Sequence, residues 1–206
     1  MPSTTFYNLP AEKRERLLAA ARAEFARVPY EAASVNRMIR AAGIPRGSFY
    51  MYFTDKEELF RYLMETYGSM LEDWLGELLE RNGGDLFATF LDLFDHIQSN
   101  GQNRSVQELE AILHLNRQRM PGLLMGRGGA GAILDRLRDR VDLSRLDLRT
   151  ETDLCDIFQL LVSALTGALV AGEARGNAAE QRARLARVFG ILQRGAAVKP
   201  PLCCQS

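Results

Sequence analysis

Two tyrosines and an arginine lie in one short segment where their side chains could bind nucleic acid. Arg46 precedes the small residues Gly47 and Ser48, and Tyr50 and Tyr52 follow them. Guanidinium and hydroxyl groups donate hydrogen bonds to phosphate oxygens, a long arginine reaches a guanine edge, and a tyrosine ring contacts a thymine methyl. These residue types together predict contact with DNA.

The segment 34–53 predicts two short helices joined by a tight turn. Ser34 is expected to cap the first helix, which ends at Gly43. Ile44 and Pro45 then open the second helix, RGSFYMYF. Helix, glycine-containing turn and helix form the helix-turn-helix unit, whose second helix enters the major groove.

The second helix of this unit has two unlike faces. At about 100° per residue, Phe49 and Phe53 share one face, and the small or slender residues share the opposite one. The phenylalanines are expected to pack on a core, and the other face is expected to enter the groove. The predicted core partners are Leu17, Phe25, Val35 and Ile39, and the predicted groove face is Gly47, Ser48 and Met51.

The run AAGIPRGSFYMYFTDKEELF resembles the N-terminal domain of the TetR family of bacterial repressors. The resemblance covers about residues 10–60, and many positions agree in register. The matching residues are Ala42, Gly43, Ile44, Gly47, Phe49, Tyr50, Phe53, Lys56 and Leu59. Three positions depart from the family pattern: Pro29-Tyr30 replaces a glycine-containing loop, Ile39 is bulkier than usual, and Pro45 replaces a capping residue.

The resemblance also implies roles in DNA binding for individual residues. It implies phosphate contacts from Ser34, Tyr50, Tyr52 and Lys56. It implies base-edge or near-base positions for Asn36, Arg46, Gly47 and Ser48. Arg37 is expected to reach the DNA backbone, and Met51 belongs to the face that enters the groove.

The rest of the chain predicts an all-α protein of about nine helices. The expected helices span about 10–28, 34–43, 46–53, 55–81, 85–100, 105–119, 132–141, 151–176 and 178–194, and no segment alternates like a strand. We expect a helix-turn-helix domain over 1–54, a helical effector-binding and dimerisation bundle over 55–198, and a disordered tail over 199–206.

Charge and composition favour a soluble regulator over other classes. Residues 1–54 carry eight basic and four acidic residues in a chain of zero net charge, so a basic head precedes an acidic body. No apolar run approaches a membrane span, the N-terminus lacks a signal-peptide pattern, and Cys155, Cys203 and Cys204 form a poor disulfide framework. The expected location is the cytoplasm.

The sequence names no catalytic, cofactor or metal site. No Ser-His-Asp or paired-carboxylate arrangement stands out, and His96 and His114 have no ligand-spaced partners. The glycine-rich stretch 126–131 lacks the Gly-Lys-Ser/Thr ending of a nucleotide loop and is expected to be a flexible connection. We therefore expect a non-enzyme without cofactor or metal.

The helical body offers two further expectations. Trp74, Phe94, His114 and Phe158 lie on helices that surround a ligand cavity in the resembled family, although residues at such spacing are more often plain core. Small residues on the last two long helices, with an apolar face wider than a core needs, favour a partner helix, with an internal core as the alternative. The resemblance implies a two-fold four-helix-bundle homodimer there.

The sequence therefore predicts a DNA-binding transcriptional regulator. The expected form is a repressor on a near-palindromic operator, released by a small-molecule effector that tilts the long fourth helix. The alternatives are an activator or a ligand-independent regulator of the same fold, or an all-helical enzyme or ligand carrier.

Overall fold

The computed structural model describes residues 2–119, 130–175 and 178–195, without the side chains of Arg46 and residues 171–175. The described part is all helical, as predicted, and contains no strand. The first four helices are α1 (Thr4–Tyr7), α2 (Ala11–Arg27), α3 (Val35–Ala42) and α4 (Phe49–Tyr52). The following six are α5 (Lys56–Arg81), α6 (Leu86–Ser99), α7 (Arg104–Leu115), α8 (Ala130–Leu137), α9 (Asp153–Arg175) and α10 (Ala178–Arg194). The glycine-rich loop and the tail predicted from the sequence lie largely or wholly outside the described residues.

The turn between α3 and α4 forms as the sequence predicts, but its caps differ. Gly43 ends α3 with a left-handed φ of 65°, and the Ile44 N–H donates to the Ile39 carbonyl at 2.9 Å. Ser34 occupies the N-cap position of α3, yet its side chain makes no capping hydrogen bond, so the predicted cap is wrong. The second predicted helix opens with a 3-10 turn, Arg46–Ser48, before α4.

The long helix α5 begins and ends where the sequence places it. The Asp55 carboxylate accepts the Glu58 N–H at 2.7 Å, and the Glu58 carboxylate accepts the Thr54 N–H at 2.6 Å. At the other end Gly84 adopts a φ of 79°, and an added Cβ would lie 2.4 Å from the backbone nitrogen of Asp142. Glycine is needed there because the chain before α9 packs directly against it.

Helix α1 is an α-helix that the sequence did not predict. Phe6 is fully buried, with its ring centroid 4.8 Å from that of Phe53 and 5.3 Å from that of Tyr62. The Ser3 N–H donates to the carbonyl of Tyr52 at 3.0 Å, and the Ser3 hydroxyl donates to that of Met51. Helix α1 therefore satisfies carbonyls at the end of α4, which a four-residue helix leaves without partners of its own.

The core that supports α4 extends past the predicted domain boundary at residue 54. Phe49 and Phe53 belong to the same buried cluster as the predicted partners Leu17, Phe25 and Ile39, with Val35 packed against it. The cluster also takes in Leu59, Phe60, Leu63 and Tyr67 of α5 and Leu109, Ile112 and Leu113 of α7. A second cluster fills the body between α5, α6, α8, α9 and α10.

Helix α9 forms over nearly the predicted range, but its apolar stretch is longer than the sequence suggested. Its window Asp153–Val170 is 18 residues long with a mean hydropathy of 1.6, enough by length and composition to cross a membrane. The expectation that no apolar segment approaches the length of a membrane span is therefore wrong by length and hydropathy. Only 33% of the window is buried within the chain, so much of an apolar helix faces outward.

Candidate nucleic-acid interface

Helix α4 presents the two faces that its sequence predicts. Phe49 and Phe53 are buried, whereas Tyr50 is 66% exposed and Met51 is 58% exposed. A Cβ added at Gly47 would meet no atom within 4 Å, so the surface beside it is open. The exposed side is therefore narrow and rigidly supported from behind, a shape that fits a major groove.

The other residues predicted to contact DNA lie around this face. Asn36 and Arg37 of α3 are exposed, and Ser34, Ser48 and Tyr52 are half-buried. Arg37 is partly engaged, since its Nε lies 3.7 Å from a carboxylate oxygen of Glu24. The Arg46 side chain lies outside the described part of the chain. The DNA-contact roles of these residues stay predictions.

Lys56 does not fit the phosphate contact that the family resemblance implied. Its ammonium donates to the carbonyls of Tyr30 at 2.7 Å, Ala33 at 3.0 Å and Glu31 at 3.3 Å. An ammonium has three hydrogens, so these carbonyls use its whole donor capacity. Lys56 instead holds the loop between α2 and α3 in place, and this positions the interface from beneath.

The same loop is tied to the body through Tyr30. Two cations lie over its ring, with Lys56 Nζ at 4.4 Å and Arg119 Cζ at 4.0 Å from the centroid. The Tyr30 N–H donates to Asn116 Oδ1 at 2.7 Å, and Arg119 pairs with Glu57 at 2.6 Å. We call Tyr30, Lys56, Asn116 and Arg119 the Tyr30 junction. Sequence reasoning noticed Tyr30 only as a departure and missed the two residues that follow α7.

Glu24 supplies a buried negative charge beneath the start of α3. One carboxylate oxygen accepts the Ser34 N–H at 3.0 Å, and the other accepts from Arg27 at 2.8 Å. Burial acts to raise the pKa of Glu24, but the hydrogen bonds from Arg27 and Ser34 outweigh it and hold the pKa below its ordinary value. The carboxylate therefore holds the backbone N–H of the N-cap residue, whereas a Ser34 side-chain cap would have accepted an N–H of the first turn of α3.

We expect Glu24→Gln to lower the free energy of unfolding by about 1–3 kcal/mol at neutral pH, because a charged acceptor is lost. Folding lowers the pKa of this carboxyl, so its charged form stabilises the folded chain at pH values above the ordinary pKa of 4.5. That stabilisation is lost as the pH falls through the lowered pKa of the folded state. Urea denaturation at pH values on both sides of that range measures the difference from wild type. A difference that does not shrink on the acid side would contradict the assignment.

The four residues predicted to bind an effector are not brought together. A cavity of about 130 Å³ lies between α5, α6, α7, α8 and α9, and Phe158 is in its wall. Phe94 is buried elsewhere in the body core, His114 is exposed, and Trp74 packs against His96 with ring centroids 4.6 Å apart. The cavity wall instead includes Tyr67 and Gly68 of α5, which the sequence did not single out. Among the described residues, no group of three or more metal-ligating side chains is clustered.

Comparison with known proteins agrees with this geometry. Residues 17–63 match the profile of the tetR family of bacterial regulatory proteins. The chain is 38% identical over 72 residues to the uncharacterized HTH-type transcriptional regulator YdgC of Bacillus subtilis, which is 35% of this chain and 37% of that one. It is 27% identical over 161 residues to the HTH-type transcriptional repressor AcnR of Corynebacterium diphtheriae, covering 73% of this chain and 82% of AcnR.

Solved structures share the fold over nearly the whole chain. A TetR family transcriptional regulator from Chloroflexus aurantiacus aligns with a TM-score of 0.52 and 27% identity, covering 95% of this chain and 98% of that one. The fatty acid degradation regulator FadR from Bacillus halodurans aligns with a TM-score of 0.61 and 16% identity, covering 93% and 100%. The helix-turn-helix segment therefore matches the tetR family of bacterial regulatory proteins, and the chain as a whole is similar in fold to a TetR family transcriptional regulator.

Proposed function

We propose that the protein represses transcription by binding a near-palindromic operator as a homodimer. The observation that carries the proposal is the exposed face of α4, where Tyr50 and Met51 project from a helix whose phenylalanines are locked in the core. The relative AcnR is named a transcriptional repressor, which supports repression over activation. We place the protein in the cytoplasm, where operator DNA is found.

The homodimer is proposed from the outer surface of α9 and α10. Leu160 is 51% exposed and Ile191 is 49% exposed, both large apolar side chains on these two helices. A Cβ added at Gly167 would meet no atom within 4 Å, so a second helix can approach closely there. A second copy of the chain would cover this surface as a four-helix bundle, which gives the outward side of α9 a protein partner instead of lipid.

Release by a small molecule is proposed from the path of α5. This helix begins beneath the interface at Lys56 and passes the cavity at Tyr67 and Gly68. Helix α7 also lines the cavity, and two residues of the Tyr30 junction, Asn116 and Arg119, follow the last residue of α7. A ligand that binds the non-DNA conformation more tightly would shift both helices and change the separation of the two heads.

Selection of bound DNA from a random-sequence pool tests the proposed function. We expect an inverted repeat whose half-sites lie about one helical turn apart, because two-fold symmetry places the two α4 helices in successive major grooves. Recovery of sequences without an inverted repeat, or of none above background, would overturn the proposal.

We expect Tyr50→Ala to weaken binding to the selected operator by roughly 1–3 kcal/mol, the scale of one good groove contact. The matched control is Tyr7→Ala, since Tyr7 is also an exposed tyrosine of the head but lies on α1 and not on α4. The measurement is a mobility-shift titration at constant salt, because phosphate contacts make affinity depend on ionic strength. Equal affinities for the Tyr50 variant and wild type would refute its role.

A further inference from the structure

The described side chains pack into two hydrophobic clusters, and α5 passes from one to the other. Leu63 and Tyr67 of α5 belong to the cluster of the DNA-binding head, whereas Leu75 and Leu79 belong to the cluster of the body. Leu71 packs against both clusters. The boundary between the two cores therefore crosses α5 within about one helical turn of Leu71.

The cavity of about 130 Å³ lies at this boundary. Its wall takes Tyr67, Leu109 and Leu113 from the head cluster. From the body cluster it takes several residues, among them Leu75, Phe90, Leu93 and Phe158. Opposite walls of a cavity make no dispersion contacts with each other, so the two cores are held together less firmly here. Val106 of α7 and Val170 of α9 belong to the cluster on the other side, so the boundary is weakened but not open.

Helix α7 is bonded to the head in two places. Asn116, just after its last residue, accepts the Tyr30 N–H at 2.7 Å. A carboxylate oxygen of Glu108, in its second turn, lies 3.2 Å from Arg22 Nε of α2. Ile112, between these two residues, is fully buried in the head cluster. The head and α7 therefore form one packed unit on the head side of the boundary.

The stretch of α5 at this boundary contains three residues that weaken a helix. Gly68 has no side chain, and glycine loses more conformational freedom in a helix than any other residue. The Thr66 hydroxyl donates to the Tyr62 carbonyl at 3.0 Å, and the Ser69 hydroxyl donates to the Glu65 carbonyl at 3.2 Å. Each hydroxyl competes with a backbone N–H for a carbonyl of the helix, and such bonds often bend helices. Three weakening residues therefore lie within four positions, where the two cores meet.

We propose that residues 66–69 are a hinge, about which the head and α7 turn as one unit against the body. In the dimer this rotation changes the separation of the two α4 helices, so the hinge sets the range of half-site spacings that the protein accepts. The role in spacing rests on the proposed function, because only a DNA-binding dimer has two half-sites to match. The hinge itself does not depend on that function.

Hydrogen exchange of the full chain tests the hinge without DNA. The amides of residues 68–72 should have protection factors about 10-fold lower than those of 59–63 and 75–79, because local opening is easiest at the hinge. Gly68→Ala should raise the protection of 68–72 relative to those two stretches by about 4- to 5-fold, the difference between glycine and alanine in a helix. Alanine fits there, since an added Cβ meets no atom within 4 Å. Uniform protection along α5, or unchanged exchange in this variant, would overturn the inference.

The double variant Thr66→Ala, Ser69→Ala separates a hinge from a simple need for space at the cavity. Both residues are exposed and lie outside the cavity wall, which includes Gly68. The double variant removes the two competing hydroxyls, so it should raise the protection of residues 68–72 in the same direction as Gly68→Ala. If only Gly68→Ala has an effect, the glycine merely leaves room for the cavity and the hinge is rejected.

Operators whose half-sites are moved one base pair closer or further apart test the role in spacing. The triple variant Thr66→Ala, Gly68→Ala, Ser69→Ala should bind the selected operator at least as tightly as wild type, because a stiffer protein loses less freedom on binding. At the altered spacings it should lose roughly 10-fold more affinity than wild type, because the heads can no longer adjust. Mobility-shift titrations at constant salt give these ratios.

Gly76→Ala is the matched control, with the same substitution about two turns further along α5. An added Cβ there meets the end of the Arg140 side chain at 2.7 Å, and that side chain is half exposed and can shift. This variant should keep the wild-type spacing profile. Equal losses for the triple variant and wild type, or the same change from Gly76→Ala, would reject the role in spacing. If wild type binds no operator, the proposed function fails, and hydrogen exchange still decides the hinge.

Discussion

Replacing Phe6 with alanine should lower the free energy of unfolding by about 3–5 kcal/mol, the cost of emptying a fully packed phenylalanine site. Phe6 is fully buried against Phe53 and Tyr62, so the variant removes the contact that joins α1 to the end of α4 and to α5. The same variant should weaken operator binding, because Ser3 would no longer be held against the carbonyls of Met51 and Tyr52. Urea denaturation at fixed protein concentration measures the first effect.

Tyr7→Ala is the matched control for this variant. Tyr7 is the neighbouring aromatic residue on α1 but is 47% exposed, so its removal should cost less than about 1 kcal/mol. A loss for Phe6→Ala no larger than for Tyr7→Ala would mean that α1 does not pack on the head in solution, and the role of Ser3 would fall with it.

The double variant Leu160→Glu, Ile191→Glu should convert the proposed dimer to monomers. Both residues are exposed on the chain alone, so a charge there is harmless to the monomer but would be buried against a second copy. Operator affinity should fall by roughly 10²–10⁴-fold, because the second head would no longer bind intramolecularly. Sedimentation equilibrium gives the mass, and a mobility-shift titration gives the affinity.

Met51→Glu is the control for the mass measurement. Met51 is similarly exposed but lies on α4, so its variant should stay dimeric although its operator binding falls. A double variant of α9 and α10 that keeps the dimer mass would place the interface elsewhere on the chain. Point variants are preferable to truncation after about residue 173, because Leu185 and Phe189 of α10 are part of the body core.

Local patterns were sufficient to predict α4 and α5 from the sequence. The spacing of Phe49 and Phe53 fixes which side of α4 is buried, and Asp55 marks the start of α5 because a helix cap acts within three residues. The all-helical body follows from apolar periodicity in the same way. These features depend on residues that are close in the sequence, so they can be predicted without knowledge of tertiary contacts.

Contacts between distant residues could not be predicted in this way. Lys56 has the right charge for phosphate, but its acceptors lie 23 to 26 residues earlier in the chain. Ser34 has the right type for a cap, but its side chain makes no capping bond, and its own N–H is held by Glu24, 10 residues earlier. Trp74, Phe94 and Phe158 look alike in a helical pattern, and only packing shows that Phe158 alone among them reaches the cavity.

The Tyr30 junction bears on how such proteins can be recombined. A chimera that joins the first 54 residues of this chain to the body of a relative would keep Tyr30 but lose Lys56, Asn116 and Arg119. It would also cut a single core, since Leu59, Phe60 and Ile112 pack in the same cluster as Phe49. The portable DNA-reading module of this protein is therefore discontinuous: it comprises the head, the first turns of α5, and the end of α7 with the residues that follow it.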